Sequence, residues 1–151
     1  IPRFLKAFYQ RGTRGWADCD TWGIDDSLPP IIGQMLRHLA KYSHGWPSGD
    51  DFPTFESWIK YLNDLAQAFE DYAAVDEWED KHRERYYAAE GKSLIKYYER
   101  VKDQSFKESM NSYPKLSKEA SDKMREEERE YRKDVINRMR KIFDNWEALW
   151  D

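Results

Sequence analysis

Cysteine is almost absent from this chain: Cys19 stands alone among 151 residues. An intramolecular disulfide is therefore excluded, no CxxC spacing exists for zinc, and a reducing cytoplasm is the expected location. No run of apolar residues approaches the length that crosses a bilayer or forms a signal-peptide core. The opening Ile1 in place of Met leaves room for a trimmed segment ahead of it. Strand signals are missing as well. No alternating β-branched run appears, and no Asn-Gly or Asp-Gly turn joins two such runs. The sequence also lacks GxSxG, a Gly-rich loop before GK[ST], a dinucleotide fingerprint and any HxH or HxxxH spacing around His38, His44 and His82. Cys19 has no identifiable base to activate it.

Charge of one sign is not in excess either. Twenty-five basic residues against twenty-nine acidic ones leave a net charge of −4, so the global field gives no reason to expect binding to nucleic acid or to an anionic membrane. Mean hydropathy is low at −1.02, which taken alone suggests disorder. Seven Trp, ten Tyr and seven Phe argue against it, because each buries a large area and a few such positions can carry a core under a charged exterior. The length suits one domain, residues 1–151.

What is present reads as helix. The expected fold is all-α: a bundle of about four helices, with an irregular N-terminal segment over residues 1–26 and a long helical hairpin in the C-terminal half. Within the N-terminal segment Phe4, Leu5 and Phe8 allow one short helix before Gly12 and Gly15 break it. Ser27 is the expected N-cap of the first long helix, with Pro29 and Pro30 in its first turn. Leu28, Ile31, Ile32, Met35, Leu36 and Leu39 then repeat at threes and fours, the spacing of one buried face. Gly45, Pro47, Gly49 and Pro53 mark a loop. Thr54 caps a second helix with the seam Trp58, Leu62, Leu65 and Phe69. A third is expected over 75–110, with Trp78, Tyr86, Tyr87, Leu94, Ile95, Tyr98 and Val101 inward and a weak point at Gly91. Pro114 and Ser117 open the last, with Met124, Tyr131, Val135, Met139, Ile142 or Phe143, Trp146 and Trp150 inward. Its stretch 118–133 is charged nearly all round and reads as a solvated helix projecting beyond the core.

The densest chemistry lies in residues 11–26, where two guanidiniums, four carboxylates and two indoles follow one another. Arg11 and Arg14 are the types that grip a phosphate or carboxylate, and Trp16 or Trp22 offers a stacking face. The same residues have ordinary structural uses: indoles plug a bundle, Asp18 and Asp20 accept backbone amides in a turn, and Asp25 or Asp26 complements a helix dipole. The candidate ligand-binding set is Arg11, Arg14, Trp16, Asp18, Asp20, Trp22, His44 and Trp46. An alternative set is metallic. Glu77 with Asp80 and Glu127 with Glu130 are paired carboxylates at helical spacing, the pattern by which all-helical nucleotide pyrophosphohydrolases hold magnesium. Their order along the chain is the reverse of that family's, and salt bridges to Lys81, Arg83 and Arg129 explain the spacing without a metal.

Taken in order, Gly15-Trp16-x-Asp18-x-Asp20-x-Trp22, His44-Gly45-x-Pro47, Trp58 to Tyr72, and the ending Leu149-Trp150-Asp151 resemble an uncharacterised family of small helical proteins of tailed bacteriophages. Cys19, the double proline and the charged stretch from Asp76 to Lys133 depart from that pattern. The resemblance implies a virus-encoded protein acting in the cytoplasm of the bacterial host or in the particle, and no activity. The leading expectation is a non-enzymatic phage accessory protein that binds a host or viral protein or a small nucleotide-type ligand, with counter-defence by sequestration as its sharpest form. A magnesium-dependent pyrophosphohydrolase and a virion structural or assembly protein are the alternatives. No cofactor and no membrane partner are expected, and the aromatic-seamed hairpin points to self-association.

Overall fold

The computed structural model describes residues 2–21, 23–47 and 49–149. Among them there are seven α-helices and no strand: α1 (Arg3–Arg14), α2 (Ile24–Tyr42), α3 (Phe55–Ala73), α4 (Val75–Ala89), α5 (Leu94–Val101), α6 (Phe106–Asn111) and α7 (Lys118–Arg140). Short 3-10 turns follow at Asp18–Thr21, Lys141–Phe143 and Glu147–Leu149. The chain is therefore helical as expected, with more and shorter helices than a bundle of about four.

The described chain forms two compact units. One holds the residues up to Ala73 together with those from Ile136 onward, and the other holds Ala74–Val135.

In the first unit, the N-terminal segment is more regular than its glycines suggest. Helix α1 passes through Gly12 and stops only at Gly15, whose φ of 82° is the left-handed conformation that ends helices, with its amide donating to Arg11 O at 3.0 Å. Helix α2 begins at Ile24, ahead of the expected Ser27 cap. Pro29 and Pro30 therefore lie inside it, and the Asp25 and Asp26 carbonyls receive no helical amide from them. Ser27 instead turns its hydroxyl back onto Gly23 O and Asp20 O.

The expected inward face of α2 is corrected by the packing. Leu36 is buried and Ile32 and Leu39 pack against the core, whereas Leu28, Ile31 and Met35 are exposed. The inward side is the small one, Pro29 and Gly33 with Leu36. At Gly33 a Cβ would stand 3.3 Å from Glu70 Cγ and 3.4 Å from Ala66 O, so the absence of a side chain lets α2 lie close on α3. Arg37 then ties the two helices with a full fork: Nε to Glu70 Oε1 at 3.0 Å, Nη2 to Glu70 Oε2 at 2.7 Å and to Gln67 Oε1 at 2.8 Å, and Nη1 to Asn63 Oδ1 at 2.9 Å. The core joins Leu36, Phe52, Trp58, Leu62, Leu65, Phe69 and Ile142, and the seam expected on α3 is its centre.

The second unit is where the long third helix breaks. Helix α4 ends in a Schellman motif, with Gly91 at φ 71°, its amide on Ala88 O at 2.9 Å and the Lys92 amide on Tyr87 O at 2.8 Å. Ser93 then caps α5, and the Glu84 carboxylate accepts from Ser93 Oγ and the Leu94 amide, both at 2.9 Å, which turns the new helix back beside α4. A second break is capped at Ser105, whose amide and hydroxyl both donate to Glu108 Oε2. Tyr87, Leu94, Tyr97 and Val101 are buried, while Ile95 and Tyr98 point outward. Residues 118–133 run antiparallel to α4. Tyr131 stacks on Trp78 with centroids 3.8 Å apart, Glu128 accepts from Arg83 Nε at 2.9 Å, and Arg132 Nη2 donates to Glu79 Oε1 at 2.6 Å. A few charged side chains thus line this contact, and the other charged side chains of the stretch are exposed.

Candidate functional site

The Arg/Trp/Asp block folds into the corner between α1 and the Asp18–Thr21 turn. Arg11 grips Asp20 as a fork, Nε to Oδ2 at 3.0 Å and Nη2 to Oδ1, while the Ala17 amide donates to Asp20 Oδ2 at 2.8 Å. Arg14 lies over Trp16 with its Cζ 3.8 Å from the ring centroid, bonds Trp16 O through Nε at 3.0 Å and pairs with Asp18. Asp18 is further held by Gln10 Nε2 at 2.8 Å and Lys6 Nζ at 3.0 Å. These donors keep both carboxyls below the ordinary aspartate range. For Asp18 the largest cause is Gln10, then Arg14 and Lys6; for Asp20 it is Arg11, then the Ala17 amide, which hold it down to about 2. The Arg11 guanidinium is correspondingly raised by Asp20.

Both arginines are thus committed to carboxylates of their own chain, and an incoming phosphate would have to displace Asp20 or Asp18. Lys6 and Gln10 escaped the sequence reading. Their signal was the i, i+4 stripe Lys6, Gln10, Arg14, which only becomes a face once α1 is helical. Trp22 lies outside the described residues.

His44 and Trp46 belong to a different place. They line a cleft of about 640 Å³ with Leu39, Tyr42, Trp58 and Leu149. Trp46 is anchored there by Nε1 donating to Phe52 O at 3.1 Å and by an edge contact with Phe55 at 5.9 Å.

The four carboxylates of the metal alternative are dispersed among partners. Glu77 pairs with Lys81 at 2.5 Å, Asp80 lies 3.6 Å from Arg83, and Glu130 lies 3.6 Å from Lys133. Glu127 Oε2 stands 3.2 Å from Nε2 of the buried His82, without the alignment of a hydrogen bond. Among the described residues, no three His, Cys, Asp or Glu side chains converge as a set for a metal ion. The expected partner Arg129 is paired with Glu126 instead, at 2.6 Å.

The feature that sequence reasoning missed is apolar. Helix α1 buries no residue at all: Phe4 is 76 % and Phe8 71 % exposed, with Leu5 and Tyr9 beside them. On α2, Ile24, Leu28, Ile31, Met35 and Tyr42 are all exposed. Large exposed patches of this kind mark interaction surfaces in folded proteins. Below the α2 row lies an apolar groove of about 360 Å³, lined by Met35, Leu36, His38, Ile142, Trp146 and Leu149. None of the described helices is long and apolar enough to cross a membrane. Compared with protein-family models, with curated proteins and with solved structures, the chain matches none of them.

Proposed function

We propose that this chain is a non-enzymatic accessory protein that works by binding another protein, in the setting of a phage-infected bacterial cell, and that its first unit carries the binding surface. The observation that supports this most is α1. Phe4, Leu5, Phe8 and Tyr9 fall on one side of the helix and are exposed, while Lys6, Gln10 and Arg14 fall on the other and bond to Asp18. On this reading the Arg/Asp corner is a latch. It holds the polar side of the helix to the protein and leaves the apolar side free to enter a partner's groove, the helix-in-groove mode of recognition. Sequestration of a nucleotide-type ligand by Arg11 and Arg14 would require both guanidiniums to exchange their carboxylates for phosphate, so the protein-partner version is preferred.

The test is purification of the full chain from infected cells, followed by native mass spectrometry of the wild type, of Phe4→Glu/Phe8→Glu and of Arg11→Ala/Arg14→Ala. A stoichiometric protein adduct that disappears in the phenylalanine variant, with its circular dichroism unchanged, is the expected result. A bare protein carrying a small adduct of nucleotide mass, lost with the arginines, would overturn it in favour of sequestration.

A further inference from the structure

Helix α2 is apolar on two sides. One side, Pro29, Gly33 and Leu36, is buried in the first unit. The opposite side carries Ile24, Leu28, Ile31, Met35, His38 and Tyr42, which recur at steps of four, three, four, three and four. All six are exposed. This is the alternation of the core positions of a two-helix coiled coil, sustained over 19 residues, or about 28 Å of helix. A helix with apolar residues on both sides is normally covered on both. Here one cover is α3; among the described residues of the first unit, the second side has none.

We propose that the second cover is α2 of another copy of this chain, packed antiparallel about a two-fold axis at the level of Gly33. The inference rests on reading the first unit as a binding surface and names one of its partners. Two observations select a second copy over an unrelated helix. First, the series of steps reads the same from either end. Reversal about Gly33 sets Ile24 against Tyr42, Leu28 against His38 and Ile31 against Met35, so the seam is complementary to itself, as an isologous contact requires. Second, the charges at the two ends are opposite. Asp25 and Asp26 stand in the first turn and Lys41 in the last. Antiparallel packing brings the acidic end of each helix to the level of the other's Lys41 and sets the two helix dipoles antiparallel. A parallel pair would set four carboxylates together. The groove beneath Met35 and His38, walled by Ile142 and Trp146, widens the seam beyond a bare helix ridge, which brings the contact closer to the area of a stable dimer.

Three measurements test the proposal on the full chain. Sedimentation equilibrium of the wild type is expected to give a dimer, and Ile31→Lys/Met35→Lys to weaken it by about tenfold or more while leaving the helical spectrum unchanged, since both side chains are exposed in one copy. Orientation is read by disulfide cross-linking in a Cys19→Ser background. An equimolar mixture of Ile24→Cys and Tyr42→Cys chains is expected to give the mixed dimer, while Ile24→Cys alone gives none, because the two Ile24 positions would lie about 27 Å apart. A monomer at every concentration overturns self-docking, and so does a dimer untouched by the lysine pair. Cross-linking of Ile24→Cys to itself overturns the antiparallel register. Retention of a protein partner that depends on Phe4 and Phe8 would leave the binding-module reading standing when self-docking fails, so the two failures are distinguishable.

Discussion

Asp20 carries the Arg11 half of the corner that holds α1, and Asp18 carries the other half. The Asp20 carboxylate takes two bonds from Arg11 and one from the Ala17 amide, and the folded protein holds it down to about 2, against about 3.9 for an unperturbed aspartate. A folded value below the unfolded one means that the group stabilises the latch fully above about pH 4 and ceases to as pH falls through 2. The corresponding prediction is a carboxyl-carbon titration of Asp20 by NMR with its midpoint near 2, moving toward 3.9 in Arg11→Ala. Protection factors of the α1 amides should hold steady from pH 7 to 4 and drop between 4 and 2. Asp18, lowered chiefly by Gln10 and then by Arg14 and Lys6, shifts in the same direction. An ordinary midpoint for Asp20 would mean that the corner is open in solution, and the arginines would again be candidates for an external anion.

At the scale of elements, the contact between α2 and α3 depends on the missing side chain at Gly33. Two neighbours of a Cβ there are a backbone carbonyl and the Phe69 Cβ at 3.6 Å, neither of which can swing away, and the third, Glu70, is held by Arg37. Gly33→Val is therefore expected to force the helices apart and cost about 1–3 kcal/mol, read as a fall in Tm of about 2–4 °C for each kcal/mol in a chain of this size. Helix propensity alone predicts the opposite sign, since glycine is the poorer helix former. A rise in Tm would show that α2 does not sit this close.

At the scale of the molecule, the two units are held by different forces. The first is built on Trp58, Leu62, Leu65 and Phe69. The second buries Glu79 among its few apolar residues, with Arg83 Nη2 at 2.8 Å from one oxygen and Arg132 Nη2 at 2.6 Å from the other. Removing this carboxylate takes away the link between two guanidiniums, each of which keeps another carboxylate, Glu128 for Arg83 and Asp76 for Arg132. Glu79→Ala is expected to destabilise the second unit by about 2–3 kcal/mol. In native-state hydrogen exchange, amides of α4 and of residues 118–135 should lose protection while those of α3 keep theirs. Uniform loss across both units would show instead that they unfold as one.

The sequence by itself determined that this chain is helical, that α3 would be capped near Thr54 and buried along Trp58, Leu62, Leu65 and Phe69, and that residues 11–26 would be crowded with opposite charges. Each of these follows from local rules: periodicity, capping and composition act over a few residues. Only the tertiary structure decided which stripe of α2 turns inward, because both are apolar and the choice depended on how closely Gly33 lets α3 approach. It also decided that Gly12 would be absorbed into a helix, whereas the helix end at Gly91 falls at the weak point expected there. A glycine's role is set by whether its neighbours can use the left-handed turn, as Lys92 and Tyr87 do. Finally, it decided that Arg11 and Arg14 would face Asp20 and Asp18. Charges close in sequence can pair with each other or with a ligand, and only the corner formed by α1 and the turn after it brings these four within bonding distance.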